Sequence, residues 1–118
     1  MQVRDLLFID DLLDAFMAAQ ARMGKISGQA FNIGGGPDNT MSVLELLNMI
    51  SELPSSKPSI KFDAWRPGDQ KYYVSDISKF KRETCWMPKV SPAQGVKSLY
   101  KWLIEDNISN TAQIAVGE

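Results

Sequence analysis

Apolar and polar positions along this chain switch between a period of about two and a period of about 3.6, and each switch marks an element. Residues 3–9 are a short, apolar, β-prone run that predicts a strand. From residue 12 to 23, Leu12, Leu13, Phe16, Met17 and Ala19 recur at helical spacing, with Asp10 or Asp11 placed to cap and Gly24 and Gly28 closing the run. Residues 29–33 predict a second strand, ended by Gly34-Gly35-Gly36-Pro37. Ser42-Val43-Leu44-Glu45 has the form of a capping box, and Val43, Leu46, Leu47 and Ile50 give the helix that follows one apolar face. Residues 59–64 alternate as a half-exposed strand, Arg66-Pro67-Gly68-Asp69 predicts a turn, and residues 71–75 are extended and aromatic. Asp76 can cap a short helix through residue 82. Trp86-Met87-Pro88 makes a rigid connection. Ser91-Pro92-Ala93-Gln94 is a second capping box with proline at the first helical position. Its helix carries Val96, Leu99, Tyr100 and Leu103 on one side. Trp86 and Trp102 read as core.

The expected fold is therefore a small mixed α/β domain of short strands and three to four helices, in the order β-α-β-α-β-β-α-α. It occupies residues 1–106, with a polar tail at 107–118. A chain of 118 residues suits one such domain. Its 13 basic and 14 acidic side chains leave a net charge of -1, which gives no electrostatic reason for a nucleic acid or an anionic membrane as partner. No apolar run approaches the roughly 20 residues of a membrane span, and the first residues lack the features of a secretory signal. With one cysteine, Cys85, and no internal disulfide, the expected location is the cytoplasm. The chain has no histidine, which removes Ser-His-Asp and Cys-His chemistry and makes a metal site unexpected.

Several blocks carry a resemblance. Arg4-Asp5-Leu6-Leu7-Phe8-Ile9-Asp10-Asp11 is followed by Phe31-Asn32-Ile33-Gly34-Gly35-Gly36 and Ser42-Val43-Leu44-Glu45-Leu46. Arg66-Pro67-Gly68-Asp69, Asp76-Ile77-Ser78-Lys79, Trp86-Met87-Pro88 and Tyr100-Lys101-Trp102-Leu103 come next. In this order the blocks resemble the C-terminal, substrate-binding part of the extended short-chain dehydrogenase/reductases, the NAD-dependent sugar-nucleotide epimerases and dehydratases of Rossmann type. Within that family, residues 34–40 and 65–74 are most similar to the 2-epimerases of CDP-sugars.

The resemblance implies a nucleotide-sugar ligand, with CDP-sugar favoured. It implies Arg4 and Arg66 on the diphosphate, where the planar guanidinium can donate two parallel bonds. It implies Asp69 on the ribose hydroxyls. Trp65 is a candidate for stacking on a ring, and Asn32 is expected to tie strand to loop. Plainer alternatives stand beside these. Arg4 could pair with Asp5 or Asp10 at the surface, Arg66 could be an ordinary turn arginine, and Asp69 could close the turn on its own backbone. The glycines at 34–36 are expected to supply unusual backbone angles, not a phosphate cradle. Cys85 stands where the family often has glycine.

The family's Tyr-x-x-x-Lys dyad does not occur here: Asp76, Ile77 and Ile104 stand four residues beyond Tyr72, Tyr73 and Tyr100. Its Gly-x-x-Gly-x-x-Gly dinucleotide loop does not occur either, so no catalytic or cofactor-binding residue is assigned. NAD belongs to the intact family enzyme. Read this way, the chain is a substrate-binding part without its NAD-binding half and without turnover of its own. The alternative is a self-associating interaction module derived from the same fold, and a homodimer or a separate NAD-binding half is the expected protein partner.

Overall fold

A computed structural model of the chain describes residues 2–54 and 57–115. Three short strands make one sheet. β1 (Val3–Asp5) lies in the middle, β2 (Thr40–Ser42) pairs with it antiparallel and β3 (Tyr72–Tyr73) pairs with it parallel. The register sets Arg4 opposite Met41 and Tyr73. Helix α1 (Ile9–Ala21) follows β1, and the single turn α2 (Met23–Ile26) extends it. A 3-10 turn at Pro37–Asn39 leads into β2, and α3 (Val43–Ser51) starts directly after that strand. α4 (Ser78–Thr84) and α5 (Pro92–Ala115) complete the order. α5 runs past residue 106, where the tail was expected to begin, and residues 116–118 lie outside the described residues.

Both capping boxes form. The Glu45 N–H donates to Ser42 Oγ at 3.2 Å while the Ser42 N–H donates to Glu45 Oε2 at 2.7 Å. The Ser91 N–H donates to Gln94 Oε1 at 3.1 Å, and the Gln94 N–H reaches back to Ser91 Oγ at 3.4 Å. Asp76 takes the Ser78 N–H at 2.9 Å, as its place before α4 predicts.

Two expected strands take another form. Residues 29–33 and 59–64 contain no strand, because a strand exists only with a hydrogen-bonded neighbour and none lies beside them among the described residues. Phe31 and Ile33 still pack against the core. The β-prone run at 3–9 is paired only over its first half, since α1 begins at Ile9.

The buried apolar core is small: Ala15, Ile26, Phe80 and Trp86. Phe80 meets Phe31 and Trp86 edge to face, each at 5.5 Å between centroids. Trp86 is core as expected, whereas Trp102 lies exposed on α5. Asp11 does not cap α1. It is buried inside the first turn, and its carboxylate accepts the Lys89 and Val90 N–H groups at 3.0 and 2.9 Å. Its carbonyl accepts the Trp86 indole N–H at 3.1 Å. One acid therefore fixes the segment between α4 and α5 to α1.

Asp5 does the same for the other end of the sheet. Its carboxylate accepts the Gly36 N–H at 3.0 Å and lies beside Ser75. Burial pushes its carboxyl up, but hydrogen bonds from Gly36 and from the Ser75 hydroxyl and amide outweigh this and hold it below the ordinary aspartate value. Of the three successive glycines only Gly36 has positive φ (71°). Gly35 is needed for approach: a Cβ there would run into the Leu6 carbonyl.

Cys85 ends α4 with φ 60°, the one non-glycine residue in the left-handed region among the described residues. This explains why glycine suits the position, since a Cβ there costs about 1–2 kcal/mol.

Replacing Cys85 with glycine is expected to raise unfolding stability by about 0.5–1 kcal/mol, after the entropic cost of glycine is subtracted. Asp11→Ala is expected to lower it by about 3 kcal/mol, since two N–H groups lose a charged acceptor. Urea midpoints at neutral pH check both. The Asp5 carboxyl is depressed on folding, so its contribution is complete above the unfolded carboxyl range and drains away as pH falls through the folded value. Between about pH 5 and 3 the wild-type chain should therefore lose more stability than Asp5→Asn, measured by the same denaturation.

Candidate functional site

β-Strand alternation puts Gln2, next to β1, and Arg4 on one side of the chain, and Asp5 on the other. Asp5 is thus taken up by the glycine segment, and Arg4 does not pair with it or with Asp10. Arg4 turns to the loop beyond residue 65. Its Nη2 donates to the Gln70 carbonyl at 2.7 Å and lies 3.4 Å from Asp69 Oδ1, while Nη1 donates to the Val3 carbonyl at 2.8 Å. The side chains of this ion pair are each about one-third exposed.

The loop owes its shape to residues 66–69. The Asp69 N–H donates to the Arg66 carbonyl at 3.2 Å, and Gly68 has φ 81°, as a Pro-Gly turn requires at its third residue. The backbone closes this turn, not the Asp69 side chain, whose other oxygen accepts from the Gln2 amide. Trp65 donates its indole N–H to the Asp69 carbonyl at 3.3 Å, and Lys71 Nζ sits 5.5 Å from its ring centroid. One face of Trp65 is therefore engaged by a cation.

Gln2, Trp65, Arg66 and Asp69 share the lining of an open groove of about 540 Å³ with the α3 side chains Val43 and Leu44. Lys61 and Asp63 also border it. The Arg66 guanidinium makes no hydrogen bond or ion pair among the described residues. Of the expected site residues, Arg4, Trp65, Arg66 and Asp69 are brought together. Asn32 is exposed two residues before Gly34, and no hydrogen bond holds its side chain among the described residues. Gln2 belongs to the cluster and was missed. The signal for it was its place two residues before Arg4, which in a strand means the same face.

The glycine segment does not form a dinucleotide cradle. Gly36 gives its N–H to Asp5, Gly35 is packed on Leu6, and only a single 3-10 turn follows. Among the described residues no three Cys, Asp or Glu side chains gather as metal ligands, and no helix is long and apolar enough to cross a membrane.

No family model matches the chain. Among curated proteins it is 38% identical over 101 residues to CDP-paratose 2-epimerase of Salmonella typhi, a stretch that is 86% of this chain and 30% of that protein. It is 29% identical over 105 residues to UDP-glucuronate 4-epimerase of Thermodesulfobacterium geofontis, covering 89% of this chain and 31% of that one. Among solved structures, UDP-glucuronic acid 4-epimerase from Bacillus cereus, in complex with UDP-glucuronic acid and NAD, superposes with a TM-score of 0.76 at 29% identity. That match covers 88% of this chain and 32% of the solved one. Blocks, fold and relatives agree: the chain belongs to the superfamily of NAD-dependent sugar-nucleotide epimerases and dehydratases, and it spans about a third of the length of the relatives it matches.

Proposed function

We propose that this chain is the sugar-nucleotide-binding part of an NAD-dependent epimerase or dehydratase, with a CDP-sugar as the favoured ligand. The observation that carries this reading is the groove itself. Arg66, which has no ion pair or side-chain hydrogen bond among the described residues, stands on a stiff turn beside an arginine–aspartate pair whose closest charged contact is a long 3.4 Å. A diphosphate needs two cations at fixed separation, and a guanidinium meets phosphate oxygens with two parallel donors. Arg66 supplies one, and Arg4 supplies the second by exchanging Asp69 for a phosphate oxygen. In this reading Asp69 accepts from the ribose hydroxyls and Trp65 stacks on the base. The CDP preference rests on the 38% identity to CDP-paratose 2-epimerase.

In the whole enzyme, NAD supplies the hydride transfer at a sugar carbon. The residues of this chain bind and orient the nucleotide and break no bond. Calorimetric titration with CDP, UDP and dTDP is expected to give the tightest binding with CDP. Arg66→Ala is expected to weaken it about tenfold or more, the worth of a charge-assisted contact. A folded chain that binds none of the three refutes the reading.

A second reading, self-association, is favoured by α1. Ile9, Leu13, Phe16 and Met17 are each more than half exposed and fall on one side of that helix. Sedimentation equilibrium checks it: a dimer that Phe16→Glu turns into monomer supports this reading, and a wild-type monomer rejects it.

A further inference from the structure

We propose that Gln2 is a positioning residue of this sugar-nucleotide site, acting on the ligand's diphosphate through Asp69 without touching it. The proposal rests on the binding role argued above.

Gln2 is fixed before its side chain is considered. Its carbonyl accepts the Val43 N–H at 3.0 Å, at the start of α3, and the next residue's N–H donates to the Lys71 carbonyl at 2.9 Å. From that anchored backbone the Gln2 amide donates to Asp69 Oδ2, while Arg4 faces the other oxygen, Oδ1. The carboxylate is shared between a neutral donor and a charged one.

The two donors differ in what they do when an anion enters. Arg4 is attracted to phosphate and can leave Asp69 for it. Gln2 carries no charge, does not follow the phosphate and keeps hold of the carboxylate. Asp69 is then neither unpaired nor free to swing back to Arg4. Without the amide, Arg4 is the only donor left to the Asp69 carboxylate among the described residues, the ion pair tightens, and one of the two diphosphate cations is withdrawn. A neutral donor of this length is thus what lets one arginine serve the turn without ligand and the diphosphate with it. Asn is too short to reach from the same backbone, and Glu would repel Asp69.

The experiment is calorimetric titration of CDP into the wild-type chain, Gln2→Met, Asp69→Asn and the double variant. Methionine keeps the length and packing of glutamine and removes its donors. Gln2→Met is expected to weaken CDP binding about tenfold in the wild-type background and by less than about twofold in the Asp69→Asn background. A merely structural role would give the same loss in both. Without ligand, the Gln2 side-chain amide protons in an NMR spectrum should shift on Asp69→Asn, which reads the contact itself. Unchanged amide signals, or wild-type affinity in Gln2→Met, overturn the proposal and leave the binding role standing. A wild-type chain that binds no CDP overturns both.

Discussion

The Asp5 carboxylate is the point on which the arrangement turns. It sits in a strand of three residues and holds the glycine segment and the segment before α4 against it, through Gly36 and Ser75. Because strand side chains alternate, fixing Asp5 on one side of β1 obliges Gln2 and Arg4 to face the other. Gln2, which lines the groove, and Arg4, which holds the groove residue Asp69, are aimed by an interaction that takes no part in the groove. Gly35 belongs to the same constraint, since only a residue without Cβ lets the chain lie on the Leu6 carbonyl.

This reliance on polar ties follows from how little apolar surface is buried. Among the described residues four hydrophobic side chains are buried, while four large side chains of α1 stay more than half exposed. Asp5 and Asp11 therefore do work that a larger core would share, each satisfying backbone N–H groups of segments distant in sequence. Residues 29–33 tell the same story: Phe31 and Ile33 pack on the core, but the backbone has no neighbouring strand among the described residues.

In the groove, the same economy gives one carboxylate several tasks. Asp69 closes a turn through its backbone, carries Trp65 on its carbonyl and takes donors from Gln2 and Arg4 on its side chain. The turn, the aromatic ring and both arginines are coupled through this residue, so a change at any of them should be felt at the others.

What is local can be read from the order of residues alone. The capping boxes at Ser42 and Ser91, the Pro-Gly turn and the apolar face of α3 depend on residues a few positions apart, and they form where their patterns stand. The family is legible there too, because the ordered blocks of Arg4 to Leu103 do not need a structure to be recognised. Tertiary structure decided whatever needed a distant partner. Residues 29–33 and 59–64 have strand-like patterns, yet pairing is a property of two segments and the second was not there to be read. Asp11 sits where a cap belongs and became a buried tether, because residues 89 and 90 come to lie over it. Arg4 had Asp5 and Asp10 near it in sequence and took Asp69 instead, since a strand sends neighbouring side chains to opposite faces and only folding brings the loop to the right one.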